Sequence, residues 1–159
     1  MENCFSFLNS FFPEIWFFML GAVLGSFANV CVRRIPAGTS VIFPRSRCNS
    51  CETPIRAFHN IPVLSWVFLR GNCSYCGERI SIEYPIVELL CGVLALFLYR
   101  EFGVSLELFF YLALCVSLVI ITLIDIRHLI IPDIITLPGI AAGVALNAIR
   151  TRPLFPEAL

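Results

Sequence analysis

The sequence predicts an all-α polytopic membrane protein with about four transmembrane helices and a small four-cysteine module between the first two. Three observations carry that expectation. Of 159 residues, 58% are hydrophobic and 14% are charged, and the mean hydropathy is +0.87; a water-soluble domain is about half apolar and about one-quarter charged. Two stretches, Ile15–Val32 and Leu108–Ile124, contain no charged residue at all. Two Cys-x-x-Cys pairs stand in the one segment that resembles a soluble module.

Ile15–Val32 is long enough as helix, about 27 Å, to approach the hydrocarbon thickness of about 30 Å. It is too long and too glycine-punctuated for a signal-peptide core, and no cationic region precedes it, so it reads as a retained helix. Pro85–Tyr99 is a shorter second span that carries Glu88. Leu108–Ile124 is the third. Ile134–Ile149 is the fourth, and Pro138-Gly139 is expected to bend or interrupt it. Residues 1–32 are thus assigned to the first span, 33–84 to the module and 85–159 to the remaining membrane part.

All eleven basic residues are arginines. Arg33, Arg34, Arg45, Arg47, Arg56, Arg70 and Arg79 lie between the first two spans, opposed only by Glu52, Glu78 and Glu83. The positive-inside rule puts that segment in the cytoplasm and the N-terminus, with Glu2 and Glu14, outside. Alternation then puts Arg100–Glu107 outside and Asp125–Asp133 inside. Arg150 and Arg152 fall outside, against the rule, a conflict that a re-entrant last span or missing downstream chain would explain. The formal net charge is zero, and no nucleic-acid partner is expected; the expected surroundings are the lipid bilayer.

Cys48-Asn49-Ser50-Cys51 and Cys73-Ser74-Tyr75-Cys76-Gly77 are separated by 21 residues. In each pair a tight turn brings positions i and i+3 together, and four thiolates complete a tetrahedral Zn²⁺ site. Gly77 suits a turn that needs positive φ. A module of about 50 residues has little core of its own, which makes a metal staple physically reasonable. Two disulfides or four buried thiols are the alternatives, and a reducing cytosol disfavours the disulfides. Cys4, Cys31, Cys91 and Cys115 read as small hydrophobes in apolar stretches.

Asp125 closes the run Leu118–Ile124, and Asp133 follows eight residues later, after Arg127, His128 and Pro132. An ionised group beside lipid is unfavourable unless it is paired, hydrated or used. Two carboxylates can divide acid and base roles in hydrolysis. Against that, Asp133 could cap the helix that begins at Ile134, and Asp125 could pair with Arg127 or His128. Glu88 is a third candidate, with a helix-packing hydrogen bond as its alternative.

Gly25-Ser26-Phe27-Ala28-Asn29-Val30 followed by Arg33-Arg34-Ile35-Pro36 resembles the opening motif of bacterial prepilin peptidases, also called type IV leader peptidases. The resemblance continues through Pro44-Arg45-Ser46-Arg47-Cys48, Cys51, Asn60-Ile61-Pro62-Val63-Leu64-Ser65-Trp66, Leu69-Arg70-Gly71-Asn72-Cys73, Cys76 and Tyr84-Pro85-Ile86-Val87-Glu88. It reaches Ile124-Asp125-Ile126-Arg127-His128-Leu129-Ile130-Ile131-Pro132-Asp133, covering about Gly21 to Gly143 in order and spacing. Glu83 stands where many members are expected to have an arginine.

The resemblance implies an intramembrane aspartic protease of the bacterial inner membrane, with its tetracysteine loop in the cytoplasm. Such enzymes remove the basic leader from type IV prepilins and pseudopilins, cutting after a glycine. Many then methylate the new N-terminus with S-adenosylmethionine. It also implies that Asp125 is the first catalytic aspartate, that Asp133 supports it, and that Cys48, Cys51, Cys73 and Cys76 form the family's metal module. The second catalytic aspartate belongs to a Gly-x-Gly-Asp motif, and no such run occurs here. The chain is therefore expected to be a fragment or a natural truncation that does not cleave alone. Two other readings stand beside the peptidase: a non-proteolytic member serving methyl transfer or substrate docking, and a zinc-stabilised membrane adaptor.

Overall fold

A computed structural model describes residues 2–43, 46–48, 50–55 and 61–149, with the side chains of 2–10 and 146–149 left aside. Arg45, Arg56, Arg150 and Arg152 of the charge argument, and Pro44, Asn49 and Asn60 of the motifs, lie outside the described residues. Among the described residues the order is α1 (Glu2–Arg34), α2 (Leu64–Phe68), α3 (Glu83–Phe102), α4 (Leu106–His128) and α5 (Asp133–Ile149). They contain no strand, only two isolated antiparallel bridges, Arg47 with Pro54 and Asn72 with Arg79.

α1 and α3 form the central antiparallel pair, α4 packs on both, and α5 lies against α4. Small residues allow the first two to approach closely. A Cβ on Gly25 would stand 2.8 Å from the Glu88 Cα and 2.9 Å from the Val87 carbonyl oxygen, and one on Gly21 would overlap the Cys91 carbonyl oxygen. Without a hydrophobic force between helices in lipid, such backbone-to-backbone packing is a main source of association. Polar and aromatic contacts hold both ends of the pair. At one end Arg100 bonds Glu14 through two 3.0 Å hydrogen bonds, and Phe17 stacks on Tyr99 at 4.4 Å. At the other, buried Asn29 donates to the Tyr84 carbonyl at 3.2 Å and the Arg33 guanidinium lies 4.9 Å over the Tyr84 ring.

α4 follows from its sequence directly. Ser105 caps it, its hydroxyl accepting from the Leu108 N–H at 3.2 Å. Leu108, Leu112, Val116, Ile120 and Ile124 recur every fourth residue and form its buried stripe. The helix stops at Leu129, whose N–H bonds the Asp125 carbonyl at 2.8 Å in a left-handed cap.

Two helices, Phe11–Arg34 and Leu106–His128, are long and apolar enough to cross a bilayer. These contain Ile15–Val32 and Leu108–Ile124. α1 extends further toward the N-terminus than Ile15 and runs through Pro13 as one helix. α3 exceeds Pro85–Tyr99 at both ends; Glu83 opens it and Gly103, at φ 58°, ends it. α5 runs through Pro138-Gly139 as one helix rather than being interrupted there; in apolar surroundings neighbouring groups can compensate the one bond that proline removes.

Candidate metal centre and membrane-edge carboxylates

The four cysteines meet. The sulfurs of Cys48, Cys51, Cys73 and Cys76 all lie within 4.8 Å of one another, and those of Cys48 and Cys76 are 3.7 Å apart. All four are free thiols, three half-buried and Cys76 exposed, so the structure has neither the disulfides nor the fully buried set that the sequence left open. Four Zn–S bonds of about 2.3 Å in a tetrahedron require sulfurs about 3.8 Å apart. The cluster fits such an ion with small adjustment.

Backbone hydrogen bonding explains why. The Cys48 N–H bonds the Thr53 carbonyl at 3.1 Å and the Glu52 N–H bonds the Cys48 carbonyl at 3.0 Å. The Cys73 N–H bonds the Glu78 carbonyl at 2.8 Å and the Gly77 N–H bonds the Cys73 carbonyl at 3.0 Å. Ile55 reaches back to Ser46 as Ile80 does to Gly71, at 2.9 and 2.7 Å. Segments 46–55 and 71–80 are thus one ten-residue knuckle used twice. Sequence reasoning found the cysteine pairs but missed this repeat. Aligning the two pairs would have revealed it, since each is flanked at equal distance by a matching isoleucine.

The thiols share their protons unequally. The Thr53 hydroxyl and N–H draw the Cys51 thiol down to about 6, and the N–H groups of Cys76 and Tyr75 lower Cys73. At Cys76 the Glu78 N–H pulls downward, but desolvation and the other three sulfurs push the thiol up to about 12. Four adjacent thiolates repel one another, and a divalent cation relieves that repulsion.

The carboxylates part company. Asp125 lies in the last turn of α4, exposed, and its side chain forms no hydrogen bond or ion pair among the described residues. The sequence offered Arg127 as its partner, but Arg127 bonds Glu83 across the α3–α4 interface. That pair answers the question of Glu83's charge: it balances an arginine on the next helix. Asp133 opens α5, exposed, and its side chain makes no capping bond to the described residues; the Pro132 carbonyl takes the N–H groups of Ile135 and Thr136 at 3.1 and 3.3 Å.

Glu88 resolves differently. It is 7% exposed and accepts the Val63 N–H at 2.7 Å, with the Ser26 hydroxyl beside it. It therefore joins the module to the α1–α3 pair, more than the helix-packing bond anticipated for it. Val63 has φ 61°, unusual for a β-branched residue, and this bond helps hold it there. Among the remaining cysteines, Cys31 and Cys91 are buried and Cys115 is half-buried, as small core residues would be; the side chain of Cys4 is outside the description.

The family described as the bacterial peptidase A24 N-terminal domain matches residues 19–102, which hold the second half of α1, all of α2 and α3, and both knuckles. The chain belongs to this family. Among its peptidase A24 relatives, the prepilin leader peptidase/N-methyltransferase of Myxococcus xanthus is 45% identical over 145 residues, 91% of this chain and 43% of the relative. The like-named protein of Bacillus subtilis is 40% identical over 129 residues, 79% of this chain and 52% of the relative. That of Pseudomonas putida is 36% identical over 163 residues, 89% of this chain and 57% of the relative. The chain spans about half the length of the curated relatives it matches. No solved structure matches it.

Proposed function

We propose that this chain is the front part of a prepilin leader peptidase/N-methyltransferase. It would comprise a first span within 1–32, a cytoplasmic zinc module at 33–84 and the start of the peptidase membrane domain at 85–159. The observation that carries the reading is the likeness over 91% of the chain to the Myxococcus xanthus protein of that name. In it, α1, α3, α4 and α5 cross the inner membrane, with the knuckles and Asp125 on the cytoplasmic side. The arginine-rich segment between α1 and α3 supports that orientation. The substrates are prepilins and pseudopilins.

Asp125 is the first catalytic carboxylate in this reading. Its side chain is exposed at the end of an apolar helix, with Arg127 engaged by Glu83, and so stands open to a substrate and to a second carboxylate. Its partner would come from the part of the relatives' length that this sequence does not cover. One carboxylate, ionised, takes a proton from water as the water oxygen attacks the carbonyl carbon of the leader's last residue, a glycine. The other, protonated, donates to the carbonyl oxygen; the C–N bond then breaks and the departing amine takes up a proton. Asp133 supports this from the first turn of α5, where a negative charge suits the helix dipole.

Cys48, Cys51, Cys73 and Cys76 would hold a structural Zn²⁺, which orders both knuckles. S-adenosylmethionine, when bound, supplies the methyl group for the new N-terminus; the sequence contains no glycine-rich cofactor fingerprint, and no residue here is assigned to it. The test is leader cleavage by a full-length enzyme carrying this segment. Asp125→Asn should abolish cleavage with zinc content unchanged, and a fully active variant would end the aspartic reading of α4.

A further inference from the structure

We infer that α2 is an interfacial anchor, its Leu64–Val67–Phe68 edge inserted into the lipid leaflet on the module's side, with Arg70 and Arg79 against headgroup phosphates. The inference rests on the reading of α1 and α3 as spans, and concerns a surface which that reading leaves unexplained.

Depth is the first argument. The Val63 N–H that begins α2 is bonded to buried Glu88 at 2.7 Å, and Glu88 packs on Gly25 of α1. Gly25 lies eight residues inside Arg33, about 12 Å along the helix, and Glu88 five residues inside Glu83, about 7.5 Å. Headgroups occupy only about 5–7 Å on each side of the hydrocarbon. The chain leaves the membrane at Arg33–Arg34 and is then drawn back to the level where hydrocarbon begins.

Composition of the outward edge is the second. Ser65 turns back to donate to the Ile61 carbonyl at 2.7 Å, and Trp66 donates inward to the Ile80 carbonyl at 3.1 Å. What remains outward is apolar: Leu64 is 47% exposed, Val67 57% and Phe68 82%. This edge adjoins in depth the exposed Ile86, Leu89 and Leu90 of α3, so it continues a surface already assigned to lipid. An isolated apolar edge at that level is what an interfacial helix presents.

Charge is the third. Directly after α2, Arg70 and Arg79 line an open groove of about 310 Å³ with Trp66 and Asn72. Both arginines are exposed, and neither forms an ion pair among the described residues. Arginines beside an apolar edge at the headgroup level complement phosphates, which bear the opposite charge.

The test uses the full chain, loaded with zinc, in vesicles of phosphatidylcholine with phosphatidylglycerol. Trp16→Phe is the background, and Phe68→Trp, Tyr75→Trp and Leu118→Trp are added singly, each read as a difference from it. The indole introduced by Phe68→Trp should be quenched by lipids brominated near the headgroup end of the acyl chain roughly threefold more than that of Tyr75→Trp, and shielded from iodide. Iodide quenching without lipid quenching at Phe68→Trp would overturn the inference, since the edge would lie in water. Shielding from both quenchers would overturn it too, since protein would cover the edge. Leu118→Trp, on the exposed face at the middle of α4, separates the two readings: absence of quenching there by lipids brominated near the methyl end of the acyl chain would remove the spanning assignment itself.

Discussion

Glu52 and Gly77 hold the same place in the two knuckles, four residues after the first cysteine of each, and both have positive φ, 54° and 73°. Only one is the residue that such a turn prefers. Glu52→Gly should therefore tighten the knuckle by about 1 kcal/mol, seen as a roughly fivefold gain in zinc affinity. Gly77→Ala should weaken binding by a similar factor; a Cβ there meets nothing within 4 Å, so the effect would come from the backbone alone. At the membrane edge, Asp125→Asn should abolish cleavage in the full-length enzyme, while Asp133→Asn should lower it less than about tenfold, because only a dipole contact is lost. The clustering of the four cysteines was legible from spacing, since Cys-x-x-Cys needs nothing but a turn. Glu52's role was not, because positive φ at a non-glycine residue leaves no mark in composition. Nor was the Glu83–Arg127 pair, which joins residues 44 apart in sequence.

Between helices, the closeness of α1 and α3 makes its own prediction. Gly21→Ala and Gly25→Ala must push backbone against backbone and should each destabilise the chain in detergent by about 1–3 kcal/mol, measured by thermal unfolding. Gly92→Ala should be milder. Its added carbon would meet the Phe18 ring at 2.8 Å, and a ring can swing aside. α4 was the most legible element: its uncharged run, Leu108–Ile124, lies within the helix and ends a few residues short of it at each side. α3 was read too short because charged Glu83 and Arg100 flank its apolar run; each in fact finds a partner on another helix, Arg127 and the Glu14 carboxylate. Pro138-Gly139 was expected to bend or interrupt α5, and the helix is not interrupted: in apolar surroundings a broken helix would leave carbonyls with no water to satisfy them.

For the molecule as a whole, orientation and metal loading are separate measurements. A reporter active only in the cytoplasm should work when inserted after Ile55 and fail in the α3–α4 turn at Val104. Zinc binding at pH 7.5 should release at least one proton, chiefly from Cys76, seen as a heat that changes with the buffer's ionisation enthalpy. Without metal the two perturbed thiols act in opposite directions. Lowered Cys51 favours the folded cluster above pH 9 and loses that contribution as pH falls toward 6. Raised Cys76 favours it below pH 9 and loses that as pH climbs toward 12. With zinc, both must be thiolates, so affinity should rise steadily from pH 6 to 9.

The doubled knuckle also sets a schedule for biosynthesis. Each copy holds two of the four sulfurs, and the second begins 25 residues after the first. At about 5–20 residues per second, Cys48 and Cys51 leave the ribosome roughly one to five seconds before Cys73 and Cys76. For that interval a half-built cradle carries two nucleophilic sulfurs with nothing to close it, while the helix that precedes it is already entering the bilayer. Nascent chains stalled before Cys73 should accordingly be alkylated at both sulfurs by a brief thiol-reagent pulse, and chains stalled well past Cys76 in the presence of zinc should resist it.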